Sequence, residues 1–430
     1  MVATISIAAI TCVALIVTVI VKPEIKIKSV TIPLYPFVAL LGAALILIFS
    51  PLNINDCVEG VVGAGAVNPV KILVLFISVT GISVFLDEAG LFEFLAQRIL
   101  SRSGGKQTRL FFLLYAAVSL LTVFTSNDII ILTFTPFIIY FCKNAKIKAF
   151  PYLMAEFVAA NTWSMALIIG NPTNIYLATS VGINFFAYIK TMILPTVLSG
   201  AASALVLYLL FMKALKQPFE GTVETQPLKD RPMCILGGVV LLACTVCLAV
   251  SSFIGFEMWL VAVASFGALI LTAIVVKLCM KQKPTIVGRM LLRLPYALVP
   301  FVLSMFIISL ALDKTGVTAI VAKWLSGSET LLYGVASFFV SNLMNNIPMS
   351  IVFSSMITSA GAGGGAAYAS IIGSNLGAIL TPIGALAGIM FSSICKKHDE
   401  KISPFKFIGY GSVVSLVSLS VAIASLLLVL

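Results

Sequence analysis

Four short clusters of hydroxyl and amide side chains lie inside stretches that are otherwise apolar. They are Ser126, Asn127 and Asp128 in FTSNDIII; Asn171, Thr173 and Asn174 in GNPTN; Ser341, Asn342, Asn345 and Asn346 in VSNLMNN; and Ser374, Asn375 and Thr381 in GSNLGAILTP. All are hard oxygen donors, suited to a dehydrated Na⁺ or to hydrogen bonds with a small polar solute. For Na⁺ the expected ligands are Ser126, Asn127, Asn174, Asn342 and Asn375. Any single Asn is also a good helix cap, but caps alone do not account for four clusters at matched points. Asp128 is the one carboxylate among them. An acid in hydrocarbon is costly and marks a functional site by default. It is a cation ligand, a proton carrier, or a solvated turn residue if the chain bends back to water there.

The elements that hold these clusters belong to a membrane protein. Of 430 residues 60% are hydrophobic and 10% charged, well under the roughly 25% charged residues of a soluble domain. The apolar runs are long enough for helices across a bilayer core and do not alternate as barrel strands do. The first run, Met1 to Ile20, lacks a basic leader and reads as a retained span. The net charge of +11 comes from Lys and Arg in short loops, so it reports orientation and anionic headgroups and not nucleic acid. The eight cysteines are scattered, with no disulfide framework. Cys244 and Cys247, one turn apart, have no His or further Cys close in sequence. With His398 as the only histidine, nothing points to an enzyme or a cofactor.

The chain contains two related halves. SVFLDEAGLFEFLAQRIL (83–100) resembles SLALDKTGVTAIVAKWLS (309–326), and FTSN (124–127) parallels FVSN (339–342). A helix-breaking stretch follows in each half, GNPTN (170–174) and LTPIGA (380–385). The basic loops fall on opposite sides of the repeat. Arg98, Arg102, Lys106 and Arg109 follow the first copy, whereas Lys277, Lys281, Lys283, Arg289 and Arg293 precede the second. By the positive-inside rule the halves are inverted. Basic residues flank 110–142 at both ends, so that segment is expected to be a re-entrant hairpin, too short for two full spans and a turn. The expected fold is all-α and polytopic: two inverted repeats, about ten transmembrane helices, two hairpins and two broken helices. Residues 1–213 form the first repeat, with hairpin 110–142 and broken helix 150–183. A cytoplasmic linker, 214–232, leads to the second repeat, 233–430, with hairpin 331–360 and broken helix 366–395. The simple spans are 2–21, 30–50, 70–87, 187–213, 233–254, 257–276, 294–312 and 405–430. The Gly-rich 359–370 is either a surface loop or a hinge.

Interrupted backbone at membrane depth is tolerated only against protein or a watery cavity, and broken helices put their ends at substrate and ion sites. The four clusters therefore mark a carrier's site. Glu156, early in the first broken helix, faces either that cavity or the headgroups. Asp87, Glu88 and Asp313 lie near helix ends, where a structural role is expected.

On the motifs FLDEAGLFEFLAQRI, SNDIIILTFTP, LMNNIPMSIV and YASIIGSNLGAILTPIGALAGIM, the chain resembles the ion transporter superfamily. Within it, the nearest resemblance is to bacterial arsenite/antimonite efflux permeases. GNPTN is similar to the sodium-coupled citrate and dicarboxylate carrier branch, and Asn375 stands where arsenite permeases often carry an acid. The resemblance implies a secondary active transporter of the inner (plasma) membrane with an elevator-type motion, in some relatives as a homodimer. It implies arsenite or antimonite efflux in exchange for protons. The alternatives are sodium-coupled transport of a carboxylate or other small anion, and sodium/proton antiport. The implied partners are a small solute or ion, the coupling ion Na⁺ or H⁺, and the lipid bilayer.

The charge asymmetry makes a topological prediction. Single cysteines introduced at Gly105 and Lys281 should react with an impermeant thiol reagent only from the cytoplasm, and one at Ser328 only from outside, each measured against the parent chain. Reaction of positions 105 and 328 from one side would contradict the inversion.

Overall fold

The computed structural model describes the whole chain except residues 23, 28–29, 64–67, 219–226 and 383. The first half of the chain contributes α1 (Val2–Val21), strands β1 (Glu24–Ile27) and β2 (Val30–Pro33), α2 (Tyr35–Phe49), α3 (Ile54–Val62) and α4 (Pro69–Glu88). It continues with α5 (Leu91–Arg102), α6 (Gln107–Phe124), α7 (Asn127–Asn144), α8 (Phe150–Trp163), a 3₁₀ turn at Ile168–Gly170, α9 (Pro172–Ser180) and α10 (Phe185–Leu215). The second half contributes α11 (Arg231–Ile254), α12 (Met258–Cys279), α13 (Thr285–Leu292), α14 (Leu298–Lys314) and α15 (Val317–Trp324). It ends with α16 (Glu329–Met344), α17 (Asn346–Ala360), α18 (Gly364–Gly377), α19 (Leu386–Lys397) and α20 (Pro404–Val429). Among the described residues six helices are long and apolar enough to cross a membrane, or seven if α14 and α15, bent by 80°, form one span.

Several elements differ from the sequence expectation, each for a physical reason. The span expected at 30–50 begins only at Tyr35, because β1 and β2 pair antiparallel from Glu24↔Pro33 to Ile27↔Val30; Val, Ile and Thr favour the extended form. The hairpin expected at 110–142 has longer legs, 18 residues each, or about 27 Å at 1.5 Å per residue. Only Thr125 and Ser126 separate them, so almost no length is spent on the turn. The Gly-rich segment is mostly helix. Only residues 361–363 lie between α17 and α18, with Gly361 as a left-handed cap at φ 64°. The linker expected at 214–232 lies partly outside the described residues.

Side-chain contacts define two faces of the bundle. At the first, Arg293 bonds Glu88 and Asp87, both at 2.6 Å, and Lys277 pairs with Asp230 at 2.6 Å. Thr108 Oγ1 donates to the Leu215 carbonyl at 2.9 Å, and Lys143 Nζ to that of His398. Phe211 stacks on Tyr410 with Phe150 edge-on to both. At the opposite face Lys71 pairs with Glu257 at 2.6 Å and Lys314 with Asp56. Ser359 Oγ donates to Asp313 at 2.7 Å, and Tyr368 Oη to the Ala187 carbonyl at 3.2 Å. The α6–α7 hairpin therefore begins and ends at the first face, and the α16–α17 hairpin at the second. The α8–α9 path crosses from first to second face, and the α18–α19 path crosses back.

The closest backbone approach is between α18 and α16. A Cβ on Gly373 would overlap Ser337 Oγ and the Gly334 carbonyl, and one on Gly377 would overlap Ser341 Oγ and the Phe338 carbonyl. Small residues let membrane helices meet closely, where packing and not water exclusion drives association. Gly373→Val should destabilise the protein by about 1–3 kcal/mol through overpacking, read as a lower midpoint of thermal unfolding in detergent. An unchanged midpoint would mean that this contact is looser than described.

Candidate functional site

Each interrupted helix ends in mid-bundle with polar groups turned inward. Tip one is capped locally. Ser126 Oγ and Asn127 Oδ1 accept from the Asp128 N–H at 3.3 and 3.0 Å, tying down donors that begin α7. Asn127 Nδ2 reaches across to Asn161 Oδ1 of α8 at 3.2 Å. The first break is held by its own amides. Asn171 Oδ1 accepts from the N–H and hydroxyl of Thr173 at 3.1 and 3.0 Å, and Asn174 Nδ2 donates to the Ser164 and Leu167 carbonyls at 2.9 and 3.1 Å. The Ser164 carbonyl lies just past the end of α8, and the Leu167 carbonyl also accepts from the Gly170 N–H of the 3₁₀ turn.

Asn375 links the two broken helices. Its Oδ1 accepts from Ser164 Oγ at 2.8 Å and Asn171 Nδ2 at 3.2 Å. Its Nδ2 donates to Asn174 Oδ1 and to the Ile371 carbonyl, both at 2.8 Å. Asn375, Asn174 and Ser164 are fully buried. Tip two docks on the second break. Asn342 Nδ2 donates to the Gly377 carbonyl at 2.9 Å, Thr381 Oγ1 donates to Asn342 Oδ1 at 2.6 Å, and the Asn346 N–H donates to the Gly384 carbonyl at 3.0 Å. Ser341 Oγ turns back to the Phe338 carbonyl at 3.0 Å. Asn345 caps α17 from φ 72° and ψ 154°, a backbone region sparsely populated by residues with a side chain. Asn346 Oδ1 and Ser374 Oγ are buried oxygens without a partner.

Asp128 faces elsewhere. Its side chain lines a cavity of about 220 Å³ together with Ser126, Tyr35, Thr80, Glu24 and Arg293. No hydrogen bond or ion pair to its carboxylate is found among the described residues. A small neighbouring pocket holds Asn345 and shares Tyr35, Leu386 and Ile389 with this cavity. The two tips thus face one region, bounded by α2 and the start of α19. The predicted residues therefore fall into three groups: the Asp128 cavity, the network around Asn375, and the Asn342 dock. The five expected Na⁺ ligands do not share one of these groups. The side-chain oxygen of each of the four asparagines among them accepts from an N–H or O–H, and Ser126 Oγ accepts from the Asp128 N–H.

Asn161 and Ser164 were missed. Asn161 stands third from the end of α8 as Asn375 does in α18, and each donates to the carbonyl four residues back, at 2.8 Å. The signal was present as AAN (159–161) and GSN (373–375), a small-residue step and an Asn ahead of each helix-breaking stretch.

Residues 16–373 match the model of a family described as citrate transporter. The chain belongs to the citrate transporter family. This family member is 31% identical to an arsenical pump membrane protein of Escherichia coli K12 over 379 residues, 82% of this chain and 85% of the relative. It is 30% identical to another E. coli protein of that name over 417 residues, 91% and 92% of the two chains. It is 26% identical to a putative arsenical pump membrane protein of Bacillus subtilis, covering 85% and 88%. The Alcanivorax borkumensis YdaH transporter has a similar fold, with TM-score 0.53 and 14% identity over 99% of this chain and 97% of that one. The protein is a secondary membrane transporter.

The Asn375 network sets a stability prediction. Asn375→Ala leaves Asn174 Oδ1 and Asn171 Nδ2 unpaired inside the protein, while the Ser164 hydroxyl keeps the Asn161 carbonyl. Each orphaned buried group costs about 1–3 kcal/mol, so the unfolding midpoint in detergent should fall clearly, while Asn184→Ala, at the exposed cap of α10, should cost about 1 kcal/mol. Equal effects would contradict the distinction between network and cap.

Proposed function

We propose that this transporter exports the neutral hydroxide of trivalent arsenic or antimony in exchange for protons. The observation that carries this reading is the charge of the Asp128 cavity. Its described lining includes two carboxylates, Glu24 and Asp128, and one base, Arg293, which is already bound to Glu88 and Asp87. A polycarboxylate entering it would meet like charge without a free cation. A neutral trihydroxide asks only for hydroxyl, amide and carboxylate partners, and its relatives at 30–31% identity are named arsenical pump membrane proteins. Because the asparagine oxygens are engaged by donors, protons suit the coupling role better than Na⁺ does, and Asp128 is placed to carry one. The second reading, sodium-coupled citrate transport, is favoured by the description of the matching family.

In this reading transport alternates between the two faces through inverted halves. The packing of the helices supports it. α6 packs on α8 and α16 on α18; α7 on α19 and α17 on α9; α2 on α14 and α12 on α4; and α10 on α20. Raising each first-half label by ten and lowering each second-half label by ten turns one pair into the other, and turns α10–α20 into itself. The first face carries Arg98, Arg102, Lys143, Lys277, Arg289 and Arg293, and is the cytoplasmic one by the positive-inside rule. The Asp128 cavity, beside Arg293, then opens to the cytoplasm, and an elevator-like displacement of hairpins and broken helices would carry it outward.

Everted vesicles acidified inside should accumulate arsenite and should not accumulate citrate under a sodium gradient. Asp128→Asn should lower pH-driven arsenite accumulation at least tenfold, and Asn127→Ala and Asn342→Ala should abolish it in protein that still folds. Sodium-driven citrate uptake with no arsenite accumulation would replace the first reading by the second.

A further inference from the structure

Glu156 takes no part in the site described above. It lies in α8, fully buried, between the first face and the Asn161 tip contact. Oε1 accepts from Thr135 Oγ1 of α7 at 2.9 Å, and Oε2 is buried with no partner. The groups around it supply no counter-charge. α19 brings Cys395 near it and α7 brings Thr135, while Tyr152, one turn earlier on its own helix, lies near Cys142 of α7. Tyr152 Oη donates to Gln107 of α6 at 2.9 Å. Nearer the face come Glu400, and Lys406 of α20, which lies over the Phe150 ring, 4.0 Å from its centroid.

An ionised carboxylate with one hydroxyl partner and no cation in such a place costs far more than a neutral acid with one unsatisfied hydroxyl. The neutral form fits the geometry directly: Oε1 is the carbonyl that accepts from Thr135, and Oε2 carries the proton. We propose that Glu156 is a second proton-binding site of the transport cycle, apart from Asp128, lying where α7, α8 and α19 meet. Thr135 immediately precedes Pro136, whose missing N–H leaves the Leu132 carbonyl without its helical donor, so α7 is weakest as a helix beside this carboxyl. Leu132 also lines the Asp128 cavity. Rearrangement of α7 that admits water to Oε2 would release the proton, and closure would require one to be bound. The gain and loss are of a proton alone, with no covalent step.

This inference rests on the proton-exchange reading for its role in the cycle, and the test separates the two. Infrared difference spectra of the purified protein should contain a carboxylic-acid carbonyl band that Glu156→Gln removes and Thr135→Val moves to higher frequency, since the carbonyl then loses its donor. In vesicles with the membrane potential clamped at zero, arsenite accumulation at static head should rise with the pH difference, and in Glu156→Gln the slope of its logarithm against that difference should fall by one. No band lost in the glutamine variant, or an unchanged slope, overturns the proposal. If the unaltered protein accumulates no arsenite, the export reading falls and the band alone decides whether Glu156 holds a proton.

Discussion

A helix that stops inside a membrane protein leaves its last carbonyls or first N–H groups without partners, and no bulk water is at hand to supply them. This chain has four such interruptions, and their repair organises everything near the site. Asparagine recurs because its amide both donates and accepts. Asn174 covers two carbonyls of the connection between α8 and the 3₁₀ turn, Asn342 covers one at the end of α18, and Asn375 ties both broken helices together. The interruptions are therefore mutually dependent. The first break is partly satisfied by a side chain from the second half, and the second break by a side chain from the second hairpin. Displacement of the second hairpin would expose backbone of the second break, and displacement of the first would part Asn127 from Asn161, which couples the tips to the broken helices without any charge.

The same constraint explains what could be read from the sequence. Polar clusters in apolar runs were visible because little else tolerates them at that depth, and the breaks were visible because Pro and Gly sit inside otherwise helical patterns. The partners of those clusters were not. Asn161 and Ser164 look like ordinary polar residues of a small-residue helix, and only the packing of α7 against α8 and of α9 against α18 makes them ligands of Asn127 and Asn375. Nor do residue types distinguish Asn345, which caps, from Asn346, whose side-chain oxygen is unpartnered.

Element boundaries failed where local propensity and packing compete. Alternating β-branched residues took 30–33 away from the second span into strand β2. Conversely, Gly364 and Gly365 of the Gly-rich stretch, poor helix formers, fall inside α18, and a Cβ on Gly365 would lie 2.8 Å from Thr330 Oγ1 of α16. Packing outweighs intrinsic preference in that segment, and a reading based on preference alone makes it a loop.

Charge is distributed by depth, and the distribution carries a mechanistic consequence. Lysine and arginine stand at the faces, where Arg289 and Arg293 meet Glu88 and Asp87. The two carboxyls placed deeper, Asp128 and Glu156, have no basic partner among the described residues. A base beside either would fix its charge and hold it ionised throughout the cycle. Without one, each group's charge depends on whether water or protein surrounds it, and that is what differs between an open and a closed cavity. Asp128 opens on a cavity and Glu156 is fully buried, so in the proton-exchange reading a single movement of α7, which carries Asp128 and the hydroxyl donor to Glu156, would change the solvation of both. On the proton-exchange proposal, a fold that keeps its cations out of the centre thereby leaves its acids free to gain and lose protons as their surroundings change.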